Sequence, residues 1–228
     1  MVDYGTPTQG TWTTAHDFVV FALDCGVLRF GTFTLKSGRE SPYFFNAGLF
    51  CDGGSLGSFG SYYAEVLVTI PDMWDKMTYG PAYKGIPTSM AASIRLADNH
   101  GINVPWAFNR KEEKTHGDGG IIVGSGIGGR VVIIDDVITS GTSVRESVAI
   151  IEAHGGRATD LVIALDRQER GIDTNLSAVQ QVEQEHGIAV HSIATLATII
   201  DVLEHGSEVL FTQGQLDAML RYRDQYGI

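Results

Sequence analysis

Residues 131–143 decide the fold of this chain, and they read Val-Val-Ile-Ile-Asp-Asp-Val-Ile-Thr-Ser-Gly-Thr-Ser. The run 131–134 is β-branched throughout and does not alternate with polar residues, which is typical of a strand buried on both faces. A helical pattern follows from about Thr142 to His154. Because a buried strand leading through a short turn into a helix is the unit of a parallel sheet, we predict an α/β fold with ligands beyond the strand ends.

The polar half of this stretch has the composition of a sugar-phosphate site. Asp135 and Asp136 follow the strand directly, and residues 139–143 supply hydroxyls, a glycine and the N–H groups of a helix start. Such N–H groups bind phosphate, and carboxylates accept hydrogen bonds from sugar hydroxyls. Any one of these residues alone is better explained as a helix cap or an exposed strand end. Their coincidence beside a buried strand favours the binding site.

Strand and helix patterns alternate on both sides of this stretch. Helical periodicity covers residues 14–29, 55–68 and 86–99, and strand patterns cover parts of 30–50, a segment ending at 79–80, 103–108 and 159–165. This order predicts one α/β domain over residues 1–228, with a central, mostly parallel sheet and helices on both faces. We expect residues 1–45, with part of the C-terminal tail, to form a small cap over the sheet.

Composition argues against several classes of function. The 228 residues carry a net charge of −11, which opposes non-specific binding to nucleic acid and to anionic membranes. The apolar runs are shorter than the roughly 18 residues of a membrane span, and the N-terminus lacks the pattern of a signal peptide. Cys25 and Cys51 lack the spacing of a metal or redox site and are typical of reduced thiols. We therefore expect a cytoplasmic protein without nucleic-acid or membrane partners.

The lysines are unevenly placed along the chain. Four of the five, Lys36, Lys84, Lys111 and Lys114, fall in Gly- or aromatic-containing segments of loop composition. Cations gathered in loops of an acidic protein indicate a local anion site, although scattered, solvated lysines would give the same pattern. The neighbouring motifs bear on the choice between the two.

Residues 131–143 resemble the phosphoribosyl pyrophosphate signature of the type I phosphoribosyltransferases. The resemblance implies that the acid pair Asp135–Asp136 faces the 2′- and 3′-hydroxyls of the ribose. It also implies that the following residues bind the 5′-phosphate: Val137, Ile138, Thr139, Ser140, Gly141, Thr142 and Ser143. Alanine is commoner than serine at the position of Ser140, and we expect this departure to be tolerated because the backbone does the binding.

Four further segments resemble the orotate-specific members of that family. They correspond to an N-terminal signature (33–46), a pyrophosphate loop (80–85), a catalytic loop (109–117) and the strand end that meets the base (164–171). The residues implied in binding orotate are Lys36, Phe44, Phe45, Thr139 and Arg167. The chemistry is consistent, because Lys36 and Arg167 are cations that suit a planar anionic pyrimidine. Phe44 and Phe45 offer it a wall and backbone groups, or are ordinary core residues.

The polar segment 109–118 carries Arg110, Lys111, Lys114 and His116 within seven residues. By itself this pattern indicates a solvated surface. Next to a phosphate cup it predicts a lid over the leaving pyrophosphate, because glycosyl transfer develops positive charge on the sugar and negative charge on pyrophosphate. Arg110 and Lys114 would stabilise the leaving group, and His116 would hydrogen-bond or protonate it.

The resemblance implies three further properties of the site. Tyr83 and Lys84 would meet pyrophosphate from the side opposite the lid. Lys111 and its loop would reach across a homodimer into the neighbouring subunit's site. The peptide bond between Ala82 and Tyr83 would be cis.

We expect Mg²⁺ as the cofactor, held mainly by pyrophosphate and ribose oxygens. Asp135 and Asp136 would contact the ion through water, because Mg²⁺ prefers phosphate ligands and retains much of its hydration. No direct protein ligand to the metal is expected, since the histidines form no cluster of ligand spacing.

Two short motifs suggest other functions. Residues 124–129 satisfy G-x-G-x-x-G, but a strand follows at once where a dinucleotide site requires a helix, and we interpret them as a hairpin turn. Residues 53–57 satisfy the G-x-S-x-G of serine hydrolases, but Ser55 is better explained as a helix N-cap. A ligand-sensing regulator on the same fold remains the rival from another class, and transfer to a purine or other base is the lesser alternative.

Overall fold

The computed structural model describes residues 14–35, 37–114, 120–138, 141–206 and 211–228. Within them the strands are β1 Leu28–Thr34, β2 Glu40–Phe45, β3 Lys76–Gly80, β4 Trp106–Lys114, β5 Gly120–Gly124, β6 Gly129–Asp135, β7 Gly156–Asp166 and β8 Ala189–Thr195. The helices are α1 Thr14–Asp24, α2 Gly53–Leu67, α3 Gly85–His100, α4 Thr142–Ala153, α5 Ala178–His186, α6 Leu196–His205 and α7 Gln213–Tyr226.

A six-stranded sheet forms the centre of the fold, in the order β5-β4-β3-β6-β7-β8. Its neighbouring strands are parallel except at the edge, where β5 pairs with β4 antiparallel. On β6, Val132 and Ile134 point into a core shared with α1, α2, α3 and α6, whereas Val131 and Ile133 point into a second core under α4 and α5. The prediction of a mostly parallel sheet with helices on both faces is confirmed, and the unalternating run 131–134 is explained by burial on both sides.

The hairpin β1–β2 forms a separate antiparallel pair beside this sheet. It packs against α1 and α7. Tyr43 on β2 and Tyr222 on α7 meet edge to face, with ring centroids 6.1 Å apart. The hairpin and the C-terminal helix are therefore joined through buried aromatic side chains.

The first helix is shorter than the predicted 14–29 and ends at Asp24. Gly26 adopts a left-handed conformation, with φ of +65°, and its N–H group donates to the carbonyl of Leu23. Such a glycine closes a helix because it lacks the Cβ that disfavours positive φ. Leu28, which fits the helical spacing, is instead the first residue of β1 and is buried there.

The prediction of a loop over residues 109–118 is wrong as far as Lys114. Strand β4, predicted at 103–108, begins at Trp106 and continues to Lys114, which pairs with Gly120 of β5. Near its end the strand is exposed, as at Lys111 and Glu112, so the unbroken polar run 109–114 can form a strand without burying these charges. Residues 115–119 lie outside the described part of the chain.

Two interpretations of glycine-containing motifs need correction. Residues 125–128 are not a hairpin turn, because β5 pairs with β4 while the following strand β6 pairs with β3 and β7. Ser55 is not the N-cap of α2. That position belongs to Asp52, whose carboxylate accepts hydrogen bonds from the N–H groups of Gly54 and Ser55 and from the Ser55 hydroxyl. The hydroxyl of Ser55 is thereby committed to the cap, which still argues against a nucleophilic serine.

Over the described ranges, no helix is both long enough and apolar enough to cross a membrane.

Candidate active site

The acid pair lies at the carboxyl end of β6, where both carboxylates are largely buried and bonded to backbone. Asp135 Oδ1 accepts the N–H of Asp136 at 2.9 Å, and Asp136 Oδ1 accepts the N–H of Val137 at 2.9 Å. Asp135 Oδ2 also accepts the hydroxyl of Ser143 at 3.0 Å. The start of α4 is thereby tied to the end of the strand, and each carboxylate has a fixed orientation.

Burial is the largest influence on the ionisation of Asp135. It raises the pKa of this carboxyl to about 6, and the neighbouring Asp136 carboxylate raises it further, while hydrogen bonds from the Asp136 N–H and from Ser143, with Lys84, act in the opposite direction. Two carboxylates held side by side in a low-dielectric setting favour a proton, a cation or a hydroxyl-rich ligand between them. The pair thus has the electrostatics expected of a ligand site.

Lys84 connects the predicted pyrophosphate loop to the acid pair. Its Nζ lies 3.0 Å from Asp136 Oδ2 and 3.4 Å from the side-chain oxygen of Asn46. The lysine side chain is 57% exposed whereas that of Asp136 is 9% exposed, so the ammonium faces solvent from the rim of the site. Lys84 and Asp136 are 52 residues apart in the sequence, which gave no sign of this contact; the parallel pairing of β3 with β6 brings them together.

The helix that follows the acid pair begins at Gly141, which has a φ of +68° and occupies the N-cap position of α4 without a side-chain cap bond. Thr142 and Ser143 form its first turn, and the N–H groups at the start of a helix suit an anion. The side chain of Ile138 is buried in the second core and that of Val137 packs against the first. Only the backbone of these two residues could serve a phosphate. Thr139 and Ser140 lie outside the described residues.

The loop between β3 and α3 presents Tyr83 to solvent. Its side chain is 70% exposed, and the peptide bond between Ala82 and Tyr83 is cis, as the resemblance implied. Lys111, on β4, places its ammonium 5.7 Å from the centre of the Tyr83 ring, which is cation–π distance. The loop predicted to bind pyrophosphate and the strand that leads to the predicted lid therefore meet within one chain.

Of the other predicted lid residues, the structure describes the side chain of Arg110 but not those of Lys114 and His116. Arg110 donates from Nη1 to the carbonyl of Gly120 at 3.0 Å, which ties β4 to β5 at the base of the lid. This arginine has a structural contact that the sequence did not indicate. His116 and the side chain of Lys114 lie outside the described residues, so their predicted roles stay predictions.

Arg167, just beyond the end of β7, is held from several sides. Its Nε donates to Glu169 at 2.7 Å, and its Nη2 donates to the hydroxyl of Ser41 at 3.0 Å and to that of Tyr222 at 3.5 Å. The guanidinium carbon lies 4.2 Å from the centre of the Tyr43 ring. The hairpin, α7 and the central sheet thus converge on one arginine whose plane is fixed.

Phe44 and Phe45, which were predicted to contact the base, differ in burial and packing. Phe44 is half-buried and stacks on Phe33, with ring centroids 5.4 Å apart. Phe45 is 8% exposed and packs into the first core, so its side chain is an ordinary core residue. Lys36 lies outside the described residues, so its predicted role stays a prediction.

Comparison with known proteins identifies the family. Residues 76–192 match the model of the phosphoribosyl transferase domain. The chain is 51% identical over 213 residues to the orotate phosphoribosyltransferase of Pseudomonas aeruginosa, and the alignment covers 93% of this chain and 98% of that enzyme. It is 54% identical over 222 residues to the enzyme of Bordetella petrii, with coverage of 94% and 97%. The chain belongs to the orotate phosphoribosyltransferase family.

A solved structure of the family agrees with this placement. The crystal structure of orotate phosphoribosyltransferase from Francisella tularensis is similar with a TM-score of 0.81 and 37% sequence identity, covering 93% of this chain and 100% of that chain. The UMP synthase structure from Leishmania donovani has a TM-score of 0.72 at 22% identity and supports the fold alone.

The sequence analysis missed several polar residues of this candidate site. Asn46 contacts Lys84, Asn109 accepts the N–H of Ala82 in the loop after β3, and Glu169 pairs with both Arg167 and Arg39. All three lie inside or at the edge of the recognised segments. In the sequence these three residues are marked only as polar residues within or beside a motif. That pattern does not show whether a side chain is buried or which residue it contacts.

A groove of about 990 Å³ lies beside the family site, between the β1–β2 hairpin and α7. Ser41 and Tyr222 line it and also bond to Arg167, but neither aspartate of the acid pair reaches it. The groove therefore borders the surroundings of Arg167 without containing the acid pair.

Proposed function

We propose that the chain transfers the ribose 5-phosphate group from phosphoribosyl pyrophosphate to orotate, giving orotidine 5′-monophosphate and pyrophosphate for pyrimidine biosynthesis. The observation that carries the proposal is the acid pair Asp135–Asp136 at the carboxyl end of β6, with Lys84 at 3.0 Å from Asp136, in a chain of the orotate phosphoribosyltransferase family. Carboxylates for ribose hydroxyls, N–H groups for the 5′-phosphate and a cation for pyrophosphate are then neighbours.

In this reaction the bond from the anomeric carbon to the pyrophosphate oxygen breaks and a bond to a ring nitrogen of orotate forms, with release of that nitrogen's proton. Charge develops on the leaving pyrophosphate, so cations around it accelerate the step. Lys84 lies on one side of that position, and we assign the other side to Arg110, Lys111 and Lys114. We assign His116 as the hydrogen-bond donor or acid for the leaving group.

The base side of the site supports recognition of a planar anion. Arg167 is oriented by Ser41, Glu169 and Tyr222, so its guanidinium presents a fixed plane to the carbonyl or carboxylate oxygens of orotate. We assign Lys36, Thr139 and the backbone of Phe44 and Phe45 to the same ligand, and we interpret the described part of residues 1–45, with α7, as the cap over it.

Mg²⁺ is the cofactor that these residues suit. The carboxylates of Asp135 and Asp136, at the end of β6, are each already bonded to a backbone N–H, which fits contact with the ion through water better than direct ligation. When bound, the ion would neutralise charge on the leaving pyrophosphate. Asp135 and Asp136 would orient its water ligands while they accept the ribose hydroxyls.

We also propose that the protein acts as a cytoplasmic homodimer. Cys25 and Cys51 are both unpaired, as in reducing compartments. Lys111 and Tyr83 are both exposed at the base of the lid, so a second subunit can approach them. The lid of one subunit would then complete the site of the other.

The decisive experiment mixes the protein with Mg²⁺, phosphoribosyl pyrophosphate and one base at a time, and measures pyrophosphate release and nucleotide formation. We expect turnover with orotate and little with adenine, hypoxanthine or uracil. Turnover with a purine but not orotate would overturn the assignment of the base. Binding of phosphoribosyl pyrophosphate without turnover of any base would favour the rival interpretation, a ligand-sensing regulator on the same fold.

A further inference from the structure

The side chain of Asn109 joins three segments at the edge of the site. Its Oδ1 accepts two hydrogen bonds, from the hydroxyl of Tyr79 at 2.9 Å and from the N–H of Ala82 at 3.1 Å. Its Nδ2 donates to the carbonyl of Arg110 at 3.2 Å. The residue is 9% exposed, so these bonds are made largely away from water. One amide thus connects β3, the loop that follows it and the strand that leads to the lid.

The bond to Ala82 concerns the site rather than the core. Ala82 directly precedes Tyr83 and Lys84, and Lys84 is the residue that reaches Asp136. The loop 81–84 has no regular helix or strand of its own, so a side-chain acceptor fixes the course of its backbone. Moving this backbone would move the ammonium of Lys84 relative to the acid pair.

Asparagine suits this position for a chemical reason. It supplies a neutral acceptor and a donor on one short side chain, and both are used here. Aspartate would keep the acceptor but would add a negative charge next to a site for pyrophosphate. Leucine has a similar volume but would leave the N–H of Ala82 and the hydroxyl of Tyr79 unpaired, and unpaired buried groups are costly.

We propose that Asn109 is a positioning residue for pyrophosphate, which holds the loop 81–84 in register with the base of the lid so that the loop's cation faces the leaving group. This inference rests on the proposed function. It assigns Asn109 no contact with the reacting atoms and no part in binding the base. A defect at Asn109 should therefore affect phosphoribosyl pyrophosphate and pyrophosphate, and should spare orotate.

The test compares Asn109→Leu, Tyr79→Phe and the double variant with wild type. Tyr79→Phe is the matched control, because it deletes the other bond to Asn109 Oδ1 and leaves the bond to Ala82 intact. The double variant removes the unpaired Tyr79 hydroxyl that could unfold Asn109→Leu, so it serves if the single variant does not fold. Steady-state kinetics give KM for each substrate, calorimetry gives the Kd of magnesium pyrophosphate, and thermal unfolding gives stability.

We expect Asn109→Leu and the double variant to raise KM for phosphoribosyl pyrophosphate and Kd for pyrophosphate about tenfold or more, with KM for orotate within about twofold. Tyr79→Phe should keep all three values near wild type. Recovery of pyrophosphate binding in the double variant would overturn the proposal, because it would reduce Asn109 to a partner for Tyr79. An equal rise in KM for orotate would overturn it too. Wild-type inactivity with orotate would instead defeat the proposed function, while the calorimetric comparison would still test Asn109.

Discussion

Asp136 illustrates how a single carboxylate can be prepared for a ligand. One oxygen accepts the N–H of Val137, and the other faces Lys84 at 3.0 Å. The group is buried at 9% side-chain exposure, so its orientation is set before a substrate arrives. A ribose hydroxyl that donates to this carboxylate would gain a charge-assisted hydrogen bond without the cost of ordering the acceptor.

Asp136→Asn should weaken phosphoribosyl pyrophosphate binding by about a hundredfold while the fold survives. The amide keeps the shape but loses the charge that pairs with Lys84 and strengthens the bond from ribose, and such charged hydrogen bonds contribute about 1.5–3 kcal/mol. Calorimetry with Mg²⁺ measures the loss. The exposed Asp98→Asn on α3 is the control for net charge, and wild-type affinity in Asp136→Asn would contradict the ribose assignment.

Between elements, the central sheet is joined by a buried ion pair far along the strands from the acid pair. Lys76 at the start of β3 reaches across β6 to Asp160 on β7, with Nζ 2.5 Å from Oδ2. Asp160 also accepts hydrogen bonds from Thr159 and from His191 on β8. Lys76 and Asp160 are 7% and 5% exposed, so this network links three strands at the amino end of the sheet.

Lys76→Met should destabilise the protein by about 3 kcal/mol, because it leaves the buried Asp160 carboxylate without its cation. Chemical denaturation measures the free energy of unfolding. The double variant Lys76→Met with Asp160→Leu should recover most of the loss, since replacing a whole buried pair by apolar groups is often neutral. A Lys76→Met protein as stable as wild type would mean that the pair contributes nothing.

The same network predicts a pH dependence of stability. Burial opposes ionisation of Asp160, but hydrogen bonds from His191, Lys76 and Thr159 outweigh it and lower the pKa of this carboxyl from 3.8 to about 2. A lowered folded-state pKa contributes stability above pH 4 that is lost as the pH falls from about 4 towards 2.

The free energy of unfolding, measured across that window, should therefore fall less steeply in Asp160→Asn than in wild type. The titration of Asp135 falls in a different pH range from that of Asp160. Its raised pKa makes the free energy of unfolding decrease as the pH rises from about 4 to 6. Identical slopes below pH 4 would show that Asp160 is not the titrating group.

At the scale of the whole molecule, the proposed homodimer places the lid of one subunit over the active site of the other subunit. In the single chain Lys111 lies 5.7 Å from the ring of Tyr83, and Tyr83 is 70% exposed. A second subunit can therefore meet both residues. The proposed homodimer requires the lid of each subunit to act in the other's site.

Two variants that are each inactive at a low concentration of phosphoribosyl pyrophosphate should then rescue each other under that condition. Lys111→Ala impairs the lid, and Asp136→Asn impairs the ribose-binding part of the site. In a mixed dimer, one site therefore contains both substitutions and the other contains neither. Random exchange of equal amounts makes half the dimers mixed, and about a quarter of all sites become intact. Activity should rise towards that fraction as subunits exchange. A mixture that stays inactive, with exchange proven by tagged subunits, would mean that each subunit closes over its own substrate.

By itself, the sequence determined the parallel α/β architecture and predicted where the candidate site lies. The β-branched run 131–134 could be buried only between two layers, and Asp135 and Asp136 had to follow at the carboxyl end of that strand. These features are local, because strand burial and helix starts are set by residues a few positions apart. The motif segments likewise indicated the pyrophosphate loop and Arg167.

Tertiary structure alone decided which distant residues meet. Parallel pairing of β3 with β6 brings Lys84 to Asp136, and pairing with β4 brings Asn109 to Ala82. The strand at 109–114, predicted as a loop, likewise depends on its partner β5. An exposed polar strand and a solvated loop have the same amino-acid composition, so composition does not distinguish them. A hydrogen bond between residues far apart in the chain leaves no periodic pattern in the sequence from which it could be predicted. Such contacts exist only once the sheet has fixed its strand order.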